Sequence, residues 1–218
     1  MDERTTDPLT DVADYFSQRI EAFGPTALGV DWNTEQRQRL CFDQLANLFT
    51  CQGGFSVNDL GCGYGALRDY LDQRYQDVSY YGYDISEAMV RTAMAAHGDR
   101  SDTQFLVSAR PLNVATYSVA CGIFNVRVHC EDTAWQALIY ETLDALFDHS
   151  TEGFAFNCLT TYSDPGMLKP YLFYADPCEV FDHCKRRYSR NVALLHDYDA
   201  YEFTVLVRKG PRSRSTAT

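Results

Sequence analysis

Positive charge is scarce in this chain. Its 19 Lys and Arg face 30 Asp and Glu, a formal net charge of −11 at neutral pH. The molecule as a whole would repel a polyanionic duplex, so nucleic acid is not expected as a partner. Long apolar runs are missing too. No segment approaches the roughly twenty apolar residues that cross a bilayer, so no membrane association is expected. Residues 1–14 carry repeated acids where a secretory signal would have a basic start and an apolar stretch, and a cytoplasmic location is expected. The eight cysteines (Cys41, Cys51, Cys62, Cys121, Cys130, Cys158, Cys178 and Cys184) include no CxxC pair. That argues against a disulfide framework or structural zinc and leaves most of them as small core residues. There is no internal repeat and no low-complexity segment.

What is present is enough apolar material for one core: 45% of 218 residues are hydrophobic, a size and composition suited to a single α/β domain. Helical spacing predicts helices over Leu9–Gly24 and Glu35–Phe49, the second capped by Asn33 or Thr34. Strands are expected at Phe55–Leu60, Val78–Asp84, Thr103–Val107, Ser118–Phe124 and Gly153–Leu159. Helices at Ala66–Arg74, Glu87–His97 (capped by Ser86) and Glu131–Phe147 fall between them, the alternation of a mostly parallel sheet covered on both faces. A helix at Asp176–Tyr188 follows, then strands at Val192–His196 and Tyr201–Val207. Asp197–Ala200 is too short for a parallel crossover, so the chain should close in an antiparallel hairpin.

The first strand runs into Gly61-Cys62-Gly63-Tyr64-Gly65 and then a helix. Glycines there let the backbone turn tightly and leave no side chain between the turn and a nucleotide. About twenty residues on, Asp84 ends the second strand, where a carboxylate can accept from both hydroxyls of a ribose. Gly61, Gly63 and Ala66 also satisfy a dinucleotide fingerprint. A dinucleotide fold needs a second mononucleotide-binding half, however, and this chain ends in a hairpin instead. Asp59, just before the turn, can orient the loop and meet an ammonium group, which suits a zwitterionic amino-acid ligand better than a pyrophosphate.

Asp59-Leu60-Gly61-Cys62-Gly63-Tyr64-Gly65 and Tyr83-Asp84-Ile85-Ser86 resemble the first and second motifs of the class I S-adenosylmethionine-dependent methyltransferases. The resemblance covers about residues 55–209. It implies a Rossmann-like seven-stranded sheet, helices on both faces, with the last strand inserted antiparallel beside the fifth. It implies S-adenosylmethionine as cofactor. Gly61, Cys62, Gly63 and Gly65 would surround its methionine portion, Asp84 would hold the ribose, and Ile85 would pack on the adenine. Family members often carry an acid after the third strand. This chain has Ser108-Ala109 there, so the Ser108 side chain or the Ala109 backbone would serve the adenine. Cys121 and Gly122 fall where the family places the loop below the methionine. Residues 1–52 would form a helical lid including Tyr15, Gly29, Trp32 and Gln36, with Arg39 as partner for the ligand carboxylate. Residues 53–209 form the core, within which 160–175 caps the acceptor side, and 210–218 are a flexible tail.

Methyl transfer from a sulfonium requires alignment of the acceptor and exclusion of water, and a base when the acceptor is protonated. The long aromatic connection from Asn157 to Asp176 is the expected acceptor wall, suited to a small amphipathic molecule. Candidate bases are His129, then Tyr162, Tyr174 and Asp176; Arg127 is a candidate for an acidic substrate group. No metal is expected, because His129-Cys130-Glu131-Asp132 and His183-Cys184 are adjacent residues, which seldom converge on one ion. Two rival functions use the same donor site. One is cyclisation or aminocarboxypropyl transfer releasing methylthioadenosine; the other is a non-catalytic donor-binding accessory protein. The expected assembly is a monomer or homodimer.

Overall fold

The computed structural model describes residues 7–210. Six helices, α1 (Pro8–Phe23), α2 (Glu35–Ala46), α3 (Ala66–Asp72), α4 (Glu87–His97), α5 (Asp132–Asp148) and α6 (Pro177–Arg187), surround one sheet of seven strands. The strands are β1 (Gly53–Leu60), β2 (Gln76–Asp84), β3 (Thr103–Val107), β4 (Ala115–Ala120), β5 (Ser150–Leu159), β6 (Asn191–Leu195) and β7 (Glu202–Arg208). Their order is β3-β2-β1-β4-β5-β7-β6, with β1 to β5 parallel and β7 antiparallel to both β5 and β6. The closing hairpin lies where the connection length predicted it. The tail read over 210–218 lies, but for Gly210, outside the described residues, as do residues 1–6.

The period of two along each strand divides the core in two. Phe154, Phe156 and Cys158 of β5 and Phe203, Val205 and Val207 of β7 meet Trp135, Ile139 and Leu143 of α5 and Val180 of α6. Alternate positions face the other way: Phe55, Val57, Val78, Tyr80, Tyr117 and Val119 pack against α2, α3 and α4 through Phe42, Leu45, Leu67, Leu71 and Val90. Burying each such large side chain contributes roughly 1.5–3 kcal/mol, so both faces must be covered for the sheet to be stable. Most of α1 lies apart from these layers, with Ile20 against Ala88 and Met89 of α4.

Local signals set the helix starts. The Thr34 hydroxyl accepts from Arg37 N, so Thr34 rather than Asn33 caps α2, and the Ser86 hydroxyl accepts from Met89 N at the start of α4. Several strands start two or three residues earlier than expected, and one also ends early. β4 ends at Ala120 rather than running to Phe124, because Gly122 N donates to the Asn157 side chain at 2.7 Å instead of to a strand neighbour. Cys121 and Gly122 therefore leave the sheet at its carboxyl edge. Among the described residues, no helix is long and apolar enough to cross a membrane.

Candidate functional site

A cavity of about 370 Å³, in the range of small-molecule sites, opens over the carboxyl ends of the parallel strands. At one end the glycine turn is tied to the neighbouring strand, with Gly61 N and Cys62 N both donating to Tyr83 O at 2.7 and 3.0 Å. Gly61 has φ +75°, and a Cβ there would sit 2.0 Å from Ile123 Cγ2. Only glycine lets the turn pass this close to the loop after β4.

Two buried carboxylates stand beside the turn. Asp59 Oδ2 accepts from the Tyr80 hydroxyl in a short hydrogen bond. Burial pushes the Asp59 carboxyl up to about 7, with the Tyr80 bond opposing. Asp84 takes Gly63 N on Oδ2 and Ser86 N on Oδ1, both at 2.9 Å. Burial raises the Asp84 carboxyl as well, against the pull of these amides. Ile85, Ser108, Ala109, Cys121 and Gly122 continue the wall.

The opposite wall is the connection from Thr160 to Asp176. It is strapped to the loop after β4: Phe173 N donates to Asn125 O at 2.8 Å, and Arg127 N and Val128 N to Tyr171 O at 3.0 and 3.2 Å. Trp32, after the 3₁₀ turn Ala27–Val30, closes a third side, its ring 3.1 Å from where a Gly122 Cβ would lie. Asp31 holds this approach by accepting from the Tyr15 hydroxyl at 2.9 Å and pairing with Arg19 at 3.1 Å.

A further carboxylate stands on the cavity wall. Glu202, the first residue of β7, stands opposite Leu159 at the end of β5, because β7 runs antiparallel and so begins at the edge where β5 ends. Its Oε2 accepts from Cys41 Sγ at 2.9 Å and Asn157 Nδ2 at 2.8 Å. Burial raises this carboxyl, with those two bonds and Arg37 opposing.

The methyltransferase domain family matches residues 57–148. Rv1506c of Mycobacterium tuberculosis, provisionally named a methyltransferase, is 57% identical over 155 residues, 71% of this chain and 93% of that protein. The chain belongs to the class I S-adenosylmethionine-dependent methyltransferases. Solved structures show how widely this methyltransferase fold is shared. Magnesium protoporphyrin IX methyltransferase (ChlM) from Synechocystis PCC 6803, solved with bound S-adenosylmethionine, superposes with TM-score 0.65 at 17% identity, covering 96% of this chain and all of that one (100%). A DhpI complex with S-adenosylhomocysteine gives TM-score 0.63 at 16% identity, over 95% and 100% of the two chains.

In this methyltransferase the cavity brings together Trp32, Asp59, Gly61, Cys62, Gly63, Asp84, Ile85, Ser108, Ala109, Cys121, Gly122 and Tyr174 of the sequence candidates. The others lie elsewhere. Gly65 is outside the cavity wall and packs behind the turn, where a Cβ would meet His97 Cδ2 at 2.9 Å. Arg39 faces away, its guanidinium on Gln73 Oε1 and over the Tyr70 ring. Helical periodicity puts its neighbours Arg37, Gln38 and Cys41 on the cavity side instead. His129 is exposed and does not line the cavity. Tyr162, at 69% exposure, points out beside His196. Asp176 accepts from Cys178 N and Glu179 N at 2.7 and 3.2 Å, which makes it the cap of α6 rather than a base. Tyr174 lines the cavity, but its hydroxyl is held between Lys169 N and Met167 O. Glu202 was missed as a site residue. The signal was available: an acid opening a strand antiparallel to β5 must lie at the ligand edge.

Proposed function

We propose that this methyltransferase transfers the methyl group of S-adenosylmethionine to a small molecule held between the glycine turn and the Tyr171–Tyr174 segment. The observation that carries the reading is that one cavity has both a nucleotide-type turn with its strand-end carboxylate and an aromatic wall as its two sides. The residues present fit the donor. Bare backbone at Gly61 and Gly63 leaves space for the methionine portion, and Asp59 is beside it to meet the ammonium. Gly63 and Ser86 amides take one lone pair on each Asp84 oxygen, and a carboxylate oxygen keeps accepting capacity for a ribose hydroxyl. Ile85, Ser108 and Ala109 would line the adenine, and Cys121 and Gly122 the methionine side. Bound there, S-adenosylmethionine supplies a methyl group on a sulfonium, activated for in-line displacement.

The chain's own residues then act by position. Val30 and Trp32 on one side and Tyr171 and Tyr174 on the other enclose the acceptor and exclude water. Holding two reactants in line can be worth about 7–11 kcal/mol of barrier. A small acceptor is further supported by the net charge of −11, which disfavours nucleic acid. It is also consistent with the name of the similar Synechocystis enzyme, which states a porphyrin substrate for that protein.

Calorimetry with S-adenosylhomocysteine tests the donor site. Saturable binding is expected, weakened roughly ten- to a hundredfold in Asp84→Ala, since hydrogen bonds to a charged group are each worth about 1.5–3 kcal/mol. Unchanged affinity in a folded Asp84→Ala would overturn the ribose placement. S-adenosylhomocysteine as product supports methyl transfer, whereas methylthioadenosine would establish cyclisation or aminocarboxypropyl transfer in its place.

A further inference from the structure

The hydrogen bonds around Glu202 fix which of its oxygens can take a proton. Asn157 Oδ1 accepts from Gly122 N at 2.7 Å. A backbone amide can only donate, so the carboxamide cannot be flipped, and its NH₂ must face Glu202. Cys41 is the second donor to the same oxygen. Burial holds its thiol far above the ordinary cysteine range, so it stays protonated and donating. Both donors converge on Oε2, which is thereby kept as an acceptor. Oε1 receives no hydrogen bond among the described residues, and it is not among the side-chain atoms sealed from solvent without a partner. Glu202 is partly exposed and lines the cavity, and Oε1 is its oxygen without a protein partner. Asn157 also ties this carboxylate, through a single side chain, to the Gly122 loop assigned above to the methionine side of the donor.

We infer that Glu202 Oε1 is the proton acceptor of the reaction, and that the acceptor substrate is an aromatic hydroxyl compound, which must lose a proton as it is methylated. This rests on the donor reading above. The phenol's O–H bond breaks and its proton moves to Oε1. The freed pair on the phenol oxygen forms the bond to the methyl carbon. The carbon–sulfur bond breaks in the same step, its pair returning to sulfur, so the products are an aryl methyl ether and S-adenosylhomocysteine. Glu202 afterwards returns the proton to water. The aromatic wall of Phe16, Trp32, Tyr171 and Tyr174 suits a flat ring. A phenol, which ionises near pH 10, lies closer to a carboxylate raised by burial than an aliphatic alcohol does. The charged and titratable groups facing Glu202 are Arg37 and Cys41 of α2, Cys121 after β4, Cys158 of β5 and Tyr198 before β7.

The test compares 4-alkylphenols with 4-alkylbenzoates of matched length as methyl acceptors, in the wild-type chain, Glu202→Gln and Glu202→Asp. Benzoates have the same shape but no proton to lose. Glu202→Gln keeps an accepting oxygen for Cys41 and Asn157 and loses only the basic site. It is expected to lower kcat on phenols about 10²–10⁴-fold, abolish the acidic limb of the kcat/KM profile and leave S-adenosylhomocysteine affinity unchanged, with partial recovery in Glu202→Asp. A readout independent of turnover is ¹³C NMR of glutamate carboxyls in the ligand-free protein. The resonance missing from Glu202→Gln should titrate above the usual glutamate value of about 4.3. Wild-type phenol turnover by Glu202→Gln, turnover of benzoates alone, or no phenol turnover by a chain that binds S-adenosylhomocysteine would each overturn the inference. Failure to bind S-adenosylhomocysteine at all would instead overturn the donor reading.

Discussion

At the scale of single residues, the buried carboxylates by the glycine turn make stability depend on pH. The Asp59 carboxyl rises from 3.8 in the free side chain to about 7 in the fold, because burial disfavours its charged form more than the Tyr80 bond restores it. The folded state therefore binds the proton more tightly than the unfolded state. The stabilisation from this group is fully present below about pH 4 and is lost as pH climbs through about 7. Asp59→Asn cannot titrate but can still accept from Tyr80. Thermal denaturation at about pH 5 and about pH 8 should show the melting temperature of Asp59→Asn gaining on the wild type as pH rises; a constant gap would refute this account of Asp59. Asp59 and Asp84 were legible in the sequence because a residue at a strand's carboxyl end is placed by the strand itself. Glu202 was not singled out. Its partners Cys41 and Asn157 come from α2 and β5, far away in the chain, and no short-range spacing encodes that meeting.

At the scale of elements, capping and period were read well, and loop geometry was not. Asp176-Pro177 at the start of α6 is a cap followed by proline in the first turn, whereas the sequence offers Asp176 as a candidate base. The structure shows both cap bonds on its Oδ1. Asp176→Ala should lower stability by about 1 kcal/mol, within the usual 0.5–2 range for a lost cap, and Asp176→Asn should restore it. Chemical denaturation measures the first effect, while turnover per folded molecule should stay level; a large fall in kcat would return Asp176 to the chemistry. α3 carries a contact no local pattern announced. Arg68, 2% exposed, donates to Val78 O at 2.8 Å and pairs with Asp72 and Asp102 at 2.5 and 3.2 Å. It pins the helix to β2 and to the approach to β3. Asp72 is its i,i+4 neighbour on α3, but the Val78 carbonyl and Asp102 reach it only through tertiary packing, which helix periodicity does not show.

At the scale of the whole molecule, the N-terminal segment contributes unequally to core and site. α2 buries Phe42 and Leu45 against the sheet, whereas α1 and the following 3₁₀ turn supply Val12, Phe16, Val30 and Trp32 to the cavity wall. A chain beginning at Thr34 should still unfold in one transition, since both sheet faces remain covered, but bind S-adenosylhomocysteine roughly tenfold or more weakly because one side of the cavity is open. Circular dichroism and calorimetry check the two parts, and retained affinity would remove the lid role from α1. The amino-acid sequence by itself determined the strand and helix alternation, the closing hairpin, the glycine turn and its strand-end acids, because all of these follow from periodicity and backbone preference over short spans. Only the tertiary structure decided which polar side chains share the cavity. It moved His129, Tyr162 and Arg39 away from it and brought Glu202 and Cys41 to it, with Asn157 buried behind them, because side-chain meeting across a sheet edge depends on register and packing between segments that the chain keeps far apart.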